Sequence, residues 1–262
     1  MTRFACSTGA SRAGSAIICC LAILQPALAG SIVGWGSNND GEATPPDGND
    51  FVAIAAGEGH SLALKSDGSI VGWGANDLGQ ATPPDGNDFV AIAAGSFHGL
   101  ALKSDGSIVG WGQNNVGQAT PPAGHDFVAI AAGGQFGLAL KSDGSIVGWG
   151  RDSGGQATPP AGNDFVAIAA GGGHSLALKS DGSIVGWGDN HSGKATPPAG
   201  KGFVAIAAGD THSLAIRRDC EYMLAGDLNN DCRVDFSDIE ILVTNWLIDC
   251  NLDPSNPACI PK

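Results

Sequence analysis

The chain has 262 residues and a formal charge of −13, with 26 Asp and Glu against 13 Lys and Arg. A surface this acidic repels polyanions and argues against nucleic acid or an anionic membrane as partner. With 41 Gly and 14 Pro but 43% apolar residues, the composition excludes a disordered chain and fits a turn-dense all-β fold.

The first 29 residues read as a secretory leader. Arg3 and Arg12 precede an uncharged apolar run, Ala16 to Leu24, and Ala27-Leu28-Ala29 supplies small residues for cleavage before Gly30. The run falls well short of the roughly 20 residues that span a bilayer, and no other stretch could cross one. A lipoprotein anchor at Cys19 or Cys20 is the alternative, but no convincing lipobox precedes them. The expected location is secreted or cell-surface.

From Ser31 the chain repeats every 38 residues: SIVGWG begins at Ser31, Ser69, Ser107, Ser145 and Ser183. A fixed period of this length marks a repeat architecture. Each unit holds three predicted strands. FVAIAAG, first at Phe51 to Gly57, has the short apolar run of a strand buried on both faces. After a glycine turn, HSLALKS alternates Leu62 and Leu64 with small or polar residues. Asp67-Gly68 then predicts a type I′ hairpin returning along SIVGWG, and the same dipeptide recurs at 105, 143 and 181. Three-stranded antiparallel units in series need their edges covered, which predicts a propeller-like array of five blades. The array opens with a lone third strand, Ser31 to Gly36, and ends with a first and second, Phe203 to Arg217. Pairing of these termini would close a ring; an open array is the alternative.

The string AAG-x-x-H-[SG]-L-A-L-K-S-D-G-S-I-V-G-W-G resembles the repeat of the regulator-of-chromosome-condensation family, and the short unit is similar to that of the type II β-lactamase inhibitor protein. The resemblance spans about residues 31–219 and implies blades of a β-propeller. Family members act as exchange factors, inhibitors or binding modules, so it implies binding rather than one named activity. Those relatives usually carry seven blades, whereas this chain has five units.

The copies differ most in two loops predicted to share one face. After GWG the chain reads SNND, ANDL, QNNV, RDSG and DNHS; after AAG it reads Glu58-Gly59, Ser96-Phe97, Gly134-Gln135, Gly172-Gly173 and Asp210-Thr211. Variable loops on fixed strands are where recognition is usually housed. The candidate ligand face is therefore Asn38, Asn39, Asp77, Phe97, Asn114, Asn115, Gln135, Arg151, Asp189 and His191; neutral drift after duplication would give the same pattern. His60, His98, His174 and His212 share one phase with Phe136, which favours a structural imidazole-to-backbone hydrogen bond over a metal ring. Trp35, Trp73, Trp111, Trp149 and Trp187 fit blade packing better than sugar stacking. No nucleophile elbow or phosphate loop is present, and catalysis is not expected.

The composition changes at Cys220. Asp227, Asn229, Asp231, Arg233 through its carbonyl, Asp235 and Asp238 stand at loop positions 1, 3, 5, 7, 9 and 12, the spacing that wraps Ca²⁺. Ser237 to Leu247 follows with Ile239, Leu242, Val243, Trp246 and Leu247 on one helical face. The stretch GDLNNDCRVDFSDIEILVTNWL resembles half of a dockerin and implies a calcium tail with a cohesin-like partner. It departs in having Cys232 where that loop carries Gly, and in being single where dockerins have two segments. Four cysteines remain after the leader, and in an oxidising compartment they imply two disulfides. Of three pairings, Cys232 with Cys250 and Cys220 with Cys259 nest around one small loop-helix unit.

The expected organisation is a leader (1–29), a five-blade propeller (30–219) and a disulfide-stapled calcium tail (220–262). The expected function is a secreted module that binds an extracellular protein or glycan. A structural or adhesive repeat protein and a non-catalytic accessory of polysaccharide degradation are the alternatives.

Overall fold

The computed structural model describes residues 29–218. Residues 1–28 of the expected leader (1–29), the expected calcium ligands and the four tail cysteines lie outside the described residues. Four complete sheets follow one another, each three-stranded, antiparallel and in chain order. The first is β1 (Phe51–Ala56), β2 (His60–Lys65) and β3 (Ile70–Gly74). The second is β4 (Phe89–Ala94), β5 (His98–Lys103) and β6 (Ile108–Gly112). β7 (Phe127–Ala132), β8 (Phe136–Lys141) and β9 (Ile146–Gly150) form the third, and β10 (Phe165–Ala170), β11 (His174–Lys179) and β12 (Ile184–Gly188) the fourth. A final pair, β13 (Phe203–Ala208) and β14 (Ser213–Arg217), is two-stranded.

The fifth blade and the ring therefore differ from expectation. Ser31 to Gly36 forms no strand with β14; its neighbourhood is tied instead to blade 1, where Phe51 N donates to the Gly30 carbonyl at 3.3 Å. Val33 and Trp35 are 76% and 85% exposed at one end, and Leu214 and Ile216 are 64% and 63% exposed at the other. The described array is open. Strand phase counts strands, but closure depends on the wedge angle between blades, which side-chain volumes at each junction set.

The core lies between blades. Leu64 of blade 1 packs with Phe89, Ala101 and Ile92 of blade 2, and Leu102, Phe127, Ala139 and Ile130 repeat the contact one blade on. Middle strands β5, β8 and β11 are buried along almost their whole length, while the inner FVAIAA strands are mostly half-buried. This reverses the sequence expectation. The middle strand has a neighbour on each edge and a blade on each face, so its Leu-Ala-Leu alternates in size rather than polarity; the Ala-rich inner strand faces the array axis.

The β2–β3 turn is also not type I′, because only its glycine has positive φ (83° at Gly68). Gly68 N donates to the Lys65 carbonyl at 3.0 Å and Lys65 N to the Ser69 carbonyl at 2.9 Å, closing a turn with a glycine bulge. The Asp67 carboxylate accepts from Ser69 N and Oγ at 2.9 and 2.7 Å. Those hydrogen bonds, the hydroxyl's first, hold its pKa below the usual carboxylate value.

Each tryptophan of the complete blades ties one unit to the loop of the preceding one. Trp73, Trp111, Trp149 and Trp187 donate Nε1–H to the carbonyls of Glu42, Gln80, Gln118 and Gln156 at 2.9 to 3.0 Å. Ser61 and Ser175 hydroxyls donate to the same Glu42 and Gln156 carbonyls. In unit 2 the serine is replaced by Gly99, and the Trp111 ring occupies the space its Cβ would need. Because Ser61 and Trp73 both bond the Glu42 carbonyl in unit 1, the Trp111 ring has room to shift beside a serine, and Gly99→Ser should cost less than about 1 kcal/mol. Gly110→Ala should cost at least about 1–3 kcal/mol, since its Cβ would sit 2.6 Å from the Ala119 backbone carbonyl, which cannot swing aside. Urea unfolding midpoints of the two variants check both.

Candidate functional site

Both variable loops emerge at the same end of the blades. In each complete blade the backbone N–H of the residue after GWG donates into the AAG-x-x turn beside it: Ala75 to Gly59, Gln113 to Phe97, Arg151 to Gln135, Asp189 to Gly173, at 2.7 to 2.9 Å. Four of the proposed face residues converge: Phe97, Gln135, Arg151 and Asp189 line a cavity of about 580 Å³ across units 2 to 5, with Lys194 and Asp210. Asn39, Asp77, Asn115 and His191 are exposed in their own loops and do not line it. Asn38 and Asn114 serve their own turns. Asn38 Nδ2 donates to Thr44 Oγ1 at 2.9 Å while its Oδ1 accepts from Ala43 N at 2.8 Å, and Asn114 does the same with Thr120 and Ala119.

Charge and shape in this cavity are mixed. Arg151 Nη1 donates to Gln135 Oε1 at 3.2 Å and its Nε to Ser153 Oγ at 3.1 Å. The guanidinium is thereby held in place while its residue stays exposed. Lys194 Nζ lies 2.8 Å from Asp189 Oδ2. That hydrogen bond and the His191 backbone N–H keep the Asp189 pKa below its ordinary value. Phe97, half-buried, adds an aromatic edge. A second cavity, of about 530 Å³, lies on the array axis, where the five AAG turns meet and Glu58 and Asp210 supply negative charge. The two share Ser96, Gly134, Gly172 and Asp210 and so adjoin at the same end of the array.

Sequence reasoning missed Lys194 and the buried Gln80, Gln118 and Gln156. The Gln80 side chain accepts from Leu78 N at 2.9 Å and Gln118 from Val116 N at 3.0 Å, shaping the post-GWG loop from beneath. Their signal was the recurring GQATPP, which at the same phase reads GEATPP in unit 1 and GKATPP in unit 5. The phased histidines also differ from expectation. His60, His98 and His174 are 0–1% exposed, yet His60 has no hydrogen-bond partner on either ring nitrogen and His174 Nε2 meets the Ser213 hydroxyl, at 2.8 Å, rather than backbone. Burial pushes the His60 pKa down to about 4, and burial followed by the nearby His60 does the same to His98. No group of three or more His, Cys, Asp or Glu side chains among the described residues is placed to hold a metal.

Blades stacked about an axis, with diversified loops at one end, define a β-propeller-type repeat protein. Residues 51–80, 89–118, 127–156 and 165–194 each match the regulator of chromosome condensation (RCC1) repeat, and these four units are RCC1 repeats. Among solved structures, the chain is similar to the ectodomain of the Physcomitrella patens receptor kinase CR4. That match has 26% identity and a TM-score of 0.59 over 72% of this chain, and spans about half, 53%, of the ectodomain. It is also similar to Saccharomyces cerevisiae Prp20p, described with its binding to Gsp1p and histones, at 20% identity and a TM-score of 0.61 over 74% of this chain and 67% of that one. Yeast RCC1 (Prp20) bound by Kap60 gives 20% identity and a TM-score of 0.62 over 84% and 71%. A search of curated protein sequences found no match. No helix among the described residues is long and apolar enough to cross a membrane.

Proposed function

We propose that this chain is an exported, non-catalytic module that binds an extracellular protein through the hollow formed by its variable loops. The observation that carries the reading is the convergence of Phe97, Arg151, Asp189 and Lys194 on one cavity in the region where the repeats differ. Arginine and aromatic side chains in a concave, partly desolvated site are the residue types that dominate protein-binding energy. The bridged Arg151 loses little freedom on binding, which favours affinity. Protein recognition by the yeast relative, which binds Gsp1p and histones, supports the class of function and not the partner. A glycan is the second ligand class, favoured by the Asn-rich rim. The tail, with Asp227, Asn229, Asp231, Asp235 and Asp238 as Ca²⁺ ligands, would then attach the module elsewhere.

Capture of secreted proteins on immobilised chain, read by mass spectrometry, tests this. Phe97→Ala with Arg151→Ala should lower recovery of a specific partner at least about tenfold, the loss of one hot-spot residue or more. Ser104→Ala, on the opposite end of blade 2, should not. Equal recovery by all three would sink the recognition reading.

A further inference from the structure

The two ends of the array are unfinished in complementary ways. Every complete blade pairs its middle strand with a following SIVGWG in one register: His60 with Gly74, Ser61 with Trp73, Leu62 with Gly72, Ala63 with Val71, Leu64 with Ile70, repeated in blades 2 to 4. β14 is a middle strand of the same phase and, among the described residues, pairs with β13 alone. The Lys194 carbonyl shows the same half-completion. Its counterparts at Glu42 and Gln156 accept a serine hydroxyl and a tryptophan Nε1–H, whereas Lys194 is bonded by Ser213 Oγ at 2.7 Å with no tryptophan strand beside it among the described residues.

The chain holds one SIVGWG copy outside any blade, Ser31 to Gly36. It is already set as its internal counterparts are. Gly34 lies against the Ala43 carbonyl as Gly72 lies against that of Ala81. The Asn38–Thr44 turn matches Asn76–Thr82, and Phe51 N bonds the Gly30 carbonyl as Phe89 N bonds that of Gly68. This half-unit is docked on blade 1, with Val33, Trp35 and Ile54 exposed by 76%, 85% and 67%. Facing the other way at the far end are Leu214 and Ile216. Internally, the residue in the phase of Ile216 is Leu64 and that in the phase of Ile54 is Ile92, and those two pack together.

We propose that β14 accepts the Ser31–Gly36 strand of a second copy of this chain, so that copies join head to tail through a completed fifth blade. The register would set Ser213 opposite Trp35 and Ala215 opposite Val33, with Trp35 Nε1–H donating to the Lys194 carbonyl. The joint would be the same in kind as the junctions inside the chain, which is why a second copy fits it better than an unrelated strand. Strand addition at an open edge supplies main-chain hydrogen bonds, and burial of the two apolar ends adds to them. A head-to-tail contact of this type is heterologous, so it either closes into a ring of copies or propagates.

Sedimentation of the full chain over about two decades of concentration tests this, because such assembly is governed by mass action. Wild type should gain mass with concentration. Leu214→Asp with Ile216→Asp blocks one end and Val33→Asp with Trp35→Ala the other; each variant alone should stay monomeric. An equimolar mixture should form a dimer and stop there, since one competent joint remains. Trp35→Phe, which keeps the ring and loses the donor, should weaken association about three- to tenfold, the worth of one hydrogen bond. A wild type that stays monomeric throughout overturns the proposal, as would closure of each chain on itself. So does a monomeric mixture of variants that unfold as cooperatively as wild type.

Discussion

Lowering the pH from 7 to 4 should destabilise the array by several kcal/mol, and replacing His60 and His98 by Phe should remove most of that loss. Both imidazoles are buried, with folded pKa values near 4 against an ordinary 6.5. Unfolding exposes them to water, where they bind protons far more readily. The folded state is therefore favoured fully above about pH 6.5, and its advantage falls as pH drops towards 4. A shift of this size corresponds to about 3 kcal/mol per histidine. His174, also lowered by burial, adds to the same slope and would remain in the double variant. The turn carboxylates Asp67, Asp105 and Asp143, held below their ordinary pKa mainly by serine hydroxyls, contribute stability that is lost below about pH 4, outside this window. The chain itself supplies the template for the substitution: Phe136 occupies the same phase and is 0% exposed. Loss of His60, whose ring nitrogens lack partners, should leave neutral-pH stability unchanged or raised. Urea unfolding at pH 7, 5.5 and 4.5 measures the effect, and parallel losses in wild type and the double variant would refute it.

Those same histidines mark the boundary of what the sequence discloses. Their phase is legible, because duplication aligns them; that His60 lacks partners while His174 meets Ser213 is not, because it depends on the next blade. The Ser-Asp-Gly turn was recognisable as a hairpin, yet its type depends on whether Asp67 takes positive φ, and its carboxylate instead fixes Ser69. Blade composition and the shared end of the two variable loops follow from alternation and turn spacing. The number of blades that fill a circle does not, so the ring expected from strand phase is open in the structure. In the site, sequence variation pointed to Phe97, Gln135, Arg151 and Asp189, but equally to Asn38 and Asn114, whose side chains shape their own loops. Lys194 and the buried Gln80, Gln118 and Gln156 carry no chemical motif. Only their tertiary neighbours reveal that one pairs with Asp189 and the others shape the loops that form the rim.

The cost of truncating one repeated leucine should depend on its position along the array, and the dependence reports directly on the open edge. Leu62, Leu100, Leu138, Leu176 and Leu214 occupy one phase, in nearly the same local sequence. Their exposures are 0%, 0%, 0%, 2% and 64%. Leu138 belongs to the buried cluster with Phe136, Leu140, Phe165 and Ala177 between blades 3 and 4, so Leu138→Ala removes buried methyl groups and leaves a hole its neighbours cannot close. The expected loss is about 2–5 kcal/mol. Leu214→Ala removes the same atoms from a side chain that is 64% exposed and should cost no more than about 0.5 kcal/mol in dilute solution. Local propensity cannot produce that contrast, since the flanking residues barely differ. Denaturant unfolding at low protein concentration measures both. If Leu214→Ala costs as much as Leu138→Ala there, the edge is covered within a single chain and the array is closed. If its cost emerges only as concentration rises, the missing cover comes from a second copy, because binding to the folded state alone stabilises by an amount that grows with the logarithm of the partner's concentration above Kd.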